Sequence, residues 1–236
     1  MNRLRSWFSS HKVFSPISLP AYTAGLNPSS RSLPEADKWA LSEFILKKLV
    51  TVVGIHPYPL DELLLMCSTL AYFKPEIIIE WGTHFGKSAR IFYEAVSYLN
   101  LSTQIHSIDL PPAVEHVENI HSISQRAVFL HGLPVMLHLG DGLTIAKKVL
   151  TELKPNLPLF FVDGDHSYAS VQNELNGIKS MAPRAIVLAH DTFFQGPESG
   201  YNCGPYEAIK EFALQNQLPL ESTILGLPGM SLTYWL

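Results

Sequence analysis

The chain has 236 residues, a length suited to one α/β domain with a sizeable core. Hydrophobic residues at 47% and charged ones at 16% exclude a disordered chain. A net charge of −4 excludes general nucleic-acid affinity, and no apolar run reaches the ~18 residues of a membrane span. Two cysteines, Cys67 and Cys203, cannot build a disulfide framework and suit a reducing compartment, so a cytoplasmic location is expected. The first 34 residues hold eight serines, four basic residues and no acid. They read as an N-terminal arm, with an organelle transit peptide as the alternative.

From Glu35 the pattern becomes regular, and a single domain is expected over 35–236, with leading helices to residue 75 and a sheet core after it. Residues 35–50 place Leu41, Ile45 and Leu49 on one helical face, and 60–73 carry a second helical stripe that Lys74-Pro75 closes. The short β-branched run 76–81 suits a strand buried on both sides, as in a parallel sheet. A glycine loop and a helix over 87–99 follow. Strands are then predicted at 104–109, 134–140, 158–163 and 185–190, with helices over 113–125, 143–153, 168–181 and 205–215. Two extended runs, 220–227 and 230–236, flank Pro228-Gly229 and read as an antiparallel pair. This alternation predicts a doubly wound, mostly parallel seven-stranded α/β sheet with helices on both faces. Ligands bind such sheets beyond the carboxyl ends of the strands. Five successive strands end there in an acid: Glu80, Asp109, Asp141, Asp163 and the pair His190-Asp191.

The loop 80-EWGTHFGKS-88 resembles a phosphate-binding loop, but only three residues separate Gly82 from Gly86 where a P-loop has four. Glu80 would also set negative charge beside a polyphosphate. An NTPase therefore stands as an alternative, helped by the Walker B-like run LPLFFVDGD. A ligand with hydroxyls and an ammonium fits better. Gly82 and Gly86 let it approach the backbone, Glu80 offers an anionic acceptor, and Asp109 ends the strand whose acid would hold both ribose hydroxyls. S-adenosylmethionine and NAD both satisfy this, although the dinucleotide fingerprint G-x-G-x-x-G is missing.

The runs EWGTHFGKS, HSID, LGDG, FVDGDHSY and LAHDT resemble the successive motifs of class I S-adenosylmethionine-dependent methyltransferases. Within that group they are most similar to small metal-dependent O-methyltransferases, including the macrocin O-methyltransferase and cephalosporin-hydroxylase-like branch. The resemblance covers roughly residues 60–236. It implies that Glu80, Gly82, Gly86 and Ser88 line the methionine part of the cofactor, Asp109 takes the ribose and Asp141 lies against the adenine. Asp163 would sit under the cofactor and join His190 and Asp191 as ligands of a divalent metal. His166 would serve as the base. Mg²⁺ or Mn²⁺ is expected, and the imidazole of His190 admits Fe²⁺ or Zn²⁺ and even a hydroxylase-type iron site. A non-catalytic relative that binds the cofactor or a partner is a further reading. The expected partner is a small hydroxylated molecule, with neither nucleic acid nor membrane, and a homodimer fits. Residues 193–205, with Phe193, Phe194 and Tyr201, are expected to form a substrate lid.

Overall fold

The computed structural model describes residues 37–114, 125–195, 199, 202 and 204–236. The expected arm over 1–34, most of the helix expected over 113–125, and the lid residues 196–198, 200, 201 and 203 lie outside the described residues.

The first helical stretch is interrupted. α1 (Lys38–Phe44) passes into a π-helical segment, Ile45–Leu49, and continues as α2 (Val50–Val53). Leu41, Ile45 and Leu49 are all buried, as their spacing predicts, but the wider turn of the π segment resets the register in between. Asp37 caps α1 through the Ala40 amide. α3 (Leu60–Phe73) ends on Lys74 in the left-handed region, directly before Pro75.

Then the expected alternation unfolds: β1 (Ile77–Trp81), α4 (Lys87–Tyr98), β2 (Gln104–Asp109), β3 (Val135–Leu139), α5 (Gly142–Leu153), β4 (Pro158–Val162), α6 (Tyr168–Met181), β5 (Ala185–His190) and α7 (Gly204–Gln215). β6 (Leu220–Thr223) and β7 (Met230–Trp235) close the chain. The seven strands are ordered β3-β2-β1-β4-β5-β7-β6. β1 to β5 run parallel, and β7 lies between β5 and β6, antiparallel to both. The order reverses direction at β1 and β4, the switch point at which such sheets take ligands.

Two apolar layers clamp the sheet. On one face Ile78, Ile105, Phe161, Ile186 and Leu188 pack with α1 to α4; on the other Ile77, Ile79, Phe160, Val162 and Val187 pack with α5 to α7. Side chains alternate along a strand, so parity assigns the strand-end acids to a face. Glu80 shares its face with Ile78, Asp109 with Ile105, Asp163 with Phe161 and His190 with Leu188. All four therefore emerge on the side covered by α3 and α4.

The glycine loop after β1 depends on backbone that only glycine adopts cheaply. Gly82 has φ +91°, and an added Cβ would lie 2.3 Å from the Asp163 carbonyl oxygen. Gly82→Ala is expected to cost about 2–3 kcal/mol, because both the left-handed strain and the clash with backbone must be absorbed. Urea unfolding checks this as a lowered midpoint with an unchanged slope.

Candidate active site

The sheet register sets Glu80 opposite Ser107 on β2, and the Ser107 hydroxyl donates to Glu80 Oε1. Glu80 is fully buried and its second oxygen has no partner. Burial pushes its carboxyl up to about 8, with the nearby acids Asp163 and Asp109 adding to the rise against the hydroxyls of Ser107 and Ser88. Ser88, in the first turn of α4, is buried beside it. Thr83 Oγ1 and Ser107 Oγ lie 2.6 Å apart and close the same polar pocket.

Asp109 is already engaged. Its carboxylate accepts the His84 amide at 3.2 Å and the Leu110 amide at 2.9 Å, and lies 3.2 Å from the Arg126 guanidinium. Asp141 is exposed and caps α5, accepting the Thr144 amide at 2.8 Å. Gly86, φ +82°, starts α4, and a Cβ there would strike Leu130 at 2.6 Å. Lys87, which a phosphate loop would aim at its ligand, instead donates to the His56 carbonyl and lies over the Phe129 ring at 5.3 Å.

At the ends of β4 and β5 a second polar cluster forms. Asp163 Oδ2 accepts the Tyr58 hydroxyl at 2.7 Å, and Oδ1 lies 3.1 Å from His190 Nδ1. His190 Nε2 lies 3.1 Å from Glu62 Oε2, reached from α3 across 128 positions of sequence. Burial alone would lower the imidazole, but Asp163 and Glu62 outweigh it and hold His190 up at about 10. Burial likewise opposes ionisation of Asp163, yet His190 and His166 hold it well below the usual carboxylate range. Burial raises Glu62 and Asp191. Tyr58 is buried with its ring 4.7 Å from that of His190, and burial next to Asp163 raises its phenol well above the usual value.

His166 completes the cluster. Its Nε2 lies 3.2 Å from Asp191 Oδ2 and 3.5 Å from Asp163 Oδ1, and its Nδ1 faces the Asn202 amide nitrogen at 3.0 Å. Asn202 also donates to Asp191 Oδ2 at 2.8 Å. Since the Asn202 amide nitrogen only donates, Nδ1 is the acceptor and Nε2 carries the proton toward the two carboxylates. Asp191 itself is held at φ +55°, a strained conformation for a non-glycine residue and a frequent mark of a working site.

Residues 79–192, from β1 to just past Asp191, match the family model of a methyltransferase domain. The described sheet has the class I methyltransferase fold. The chain's sequence is 29% identical over 141 residues to the protein y4gI of Sinorhizobium fredii (strain NBRC 101917 / NGR234), a match that spans 57% of this chain and 15% of that much longer protein. Among solved structures, the chain is similar in fold to the O-methyltransferase TomG from Streptomyces achromogenes in complex with SAM. That likeness has a TM-score of 0.53 and 16% identity, over 87% of this chain and 92% of TomG. The SAH-bound methyltransferase PaMTH1 of Podospora anserina gives 0.51 and 18%, over 85% and 88%. A Bacillus cereus O-methyltransferase in complex with SAH gives 0.50 and 14%, over 86% and 93%.

Of the residues expected at the methyltransferase site, the structure brings Glu80, Gly82, Ser88, Asp163, His166, His190 and Asp191 to one end of the sheet. Ligand atoms of Asp163, His190 and Asp191 lie within 4.8 Å of one another, close enough for a metal. The donors do not fit one as they stand, because both nitrogens of His190 are engaged by carboxylates. Of the lid aromatics, Phe193 is buried and fixed by its amide to the Pro228 carbonyl, while Phe194 is exposed. Tyr58, Glu62, Arg126 and Asn202 were not anticipated. Among the described residues no helix is long and apolar enough to cross a membrane.

Proposed function

We propose that the protein is an S-adenosylmethionine-dependent O-methyltransferase acting on a hydroxyl of a small molecule. The observation that carries this reading is the junction of the two clusters. The glycine turn presses on the Asp163 backbone, so a cofactor over Gly82 and an acceptor beside His166 would be neighbours. The residues fit the cofactor: Glu80 has a buried oxygen without a partner, which a cationic ligand would satisfy. Glu80, Gly82, Gly86 and Ser88 would hold its methionine part, Asp109 its ribose, and the turn at Asp141 its adenine. When bound, it supplies a methyl group on a sulfonium and leaves as the neutral thioether.

The remaining chemistry belongs to the chain. The acceptor O–H proton passes to His166 Nδ1 once Asn202 yields that nitrogen, and the pair left on oxygen forms the new bond to carbon. Asp163 and Asp191, facing Nε2, stabilise the imidazolium that results. Calorimetry tests the reading: S-adenosylmethionine should bind at micromolar level while NAD and ATP do not, and a small-molecule acceptor pool should gain methyl label. Absence of cofactor binding would sink it.

Glu80 makes that affinity pH-dependent. With its carboxyl near 8 in the free protein, about one molecule in ten is ionised at pH 7 and about nine in ten at pH 9. A cationic ligand prefers the ionised form, so affinity should rise with pH up to about 8, where the ligand's own ammonium begins to lose its proton, and Glu80→Gln should flatten that rising limb. Stability runs the other way. A carboxyl raised above its unfolded value contributes most below about pH 4.5 and is destabilising as pH climbs to about 8, so Glu80→Gln should gain in melting temperature relative to wild type over that window.

A further inference from the structure

We propose that this site works without a divalent cation, that Glu62 is the positioning residue which closes it to one, and that the acceptor is therefore an acidic hydroxyl such as a phenol. The inference rests on the methyltransferase reading for its acceptor and on donor geometry for the metal. Glu62 and Asp163 hold the His190 ring from both sides at 3.1 Å each, so both of its nitrogens are already engaged. A cation shared by Asp163 and Asp191 would occupy the space between their carboxylates. His166 Nε2 is already there, 3.5 Å from one and 3.2 Å from the other. Asp163 Oδ2 is taken by Tyr58, which leaves Asp191 Oδ1 as the carboxylate oxygen of this pair without a partner. His190 and Asp191 are each 4% exposed, so there is no room beside them for the water shell that Mg²⁺ keeps.

The substrate class follows from acid strength. A metal ion activates an alcohol by lowering its pKa, and without one an imidazole must take the proton unaided. Imidazole near 6.5 against a phenol near 10 is uphill by roughly 3.5 powers of ten, and an alcohol, a much weaker acid than a phenol, is uphill by several more. General-base catalysis has less to do the more acidic the O–H, so a phenolic acceptor is favoured over a sugar hydroxyl.

The test uses the full chain loaded with S-adenosylhomocysteine and titrated with Mn²⁺, the free ion being followed by electron paramagnetic resonance. Methyl transfer to catechol and to methyl glucoside is measured in parallel with EDTA present. We expect no Mn²⁺ bound below about 1 mM, turnover of catechol unchanged by EDTA, and slower turnover of the glucoside than of catechol. Micromolar Mn²⁺ binding, or activity lost in EDTA and restored by Mg²⁺, would overturn the metal-free site. Faster transfer to the glucoside than to catechol would overturn the acceptor class. The double variant Glu62→Gln, His190→Asp unlocks the clamp and adds a carboxylate; it should bind Mn²⁺ about tenfold more tightly than wild type or better. Should that variant not fold, the wild-type titration decides alone. Failure to bind S-adenosylmethionine at all defeats the enzyme reading, and leaves the Mn²⁺ result to judge the metal separately.

Discussion

Replacing His166 with alanine is expected to lower kcat by roughly 10²–10⁴-fold while cofactor affinity stays close to wild type. The structure sets the His166 ring against Asp163, Asp191 and Asn202, beside the ends of β4 and β5. A change there should therefore fall on the chemical step and leave binding alone. Two controls separate a base from a spacer. The acid limb of the pH–rate profile should vanish with the imidazole, and added imidazole should restore part of the rate in the alanine variant. Asp191→Asn should cost less than His166→Ala, because Asp163 still faces Nε2. If His166→Ala kept most of its activity with an unchanged pH profile, the proton would have to leave by another route.

The sheet was legible because its strands are short β-branched runs between helices, a pattern with few alternative folds. The ends of those strands were legible too, since five acids in succession exceed what helix capping alone explains. Asp141 shows the limit of that argument, for its carboxylate is a helix cap in the ordinary way. Periodicity failed at Glu62. It sits one turn before Met66 and reads as a polar position beside an apolar stripe, yet it is 1% exposed. Its partner His190 lies on a distant strand, and no local pattern encodes a pairing across so much chain. Tyr58 was hidden for the same reason, in a proline-flanked turn with no regular period. Asn202 lies in a stretch whose glycines and aromatics announced a loop but not a contact with His166. The acid that would hold a ribose, Asp109, was found, while the Arg126 that faces it was not, because its placement depends on how the chain returns from β2.

Glu62→Ala is the substitution expected to cost the most stability, about 3–5 kcal/mol, because it leaves the buried His190 with one carboxylate in place of two. The pair's pH dependence gives the test its sign. His190 is held at about 10 in the fold and returns to about 6.5 on unfolding. A histidine raised in this way contributes stability that is complete below about pH 6.5 and is lost as pH climbs through 10. Asp163, held low, contributes above the ordinary carboxylate range and loses that contribution in acid. The two windows overlap between about pH 4 and 6.5, where wild type should resist denaturant best. The penalty of Glu62→Ala should accordingly be largest near pH 6 and shrink toward pH 10, where His190 has given up its proton with or without Glu62. A penalty of constant size across that range would mean that Glu62 contributes only packing, and that His190 is neutral in the folded protein.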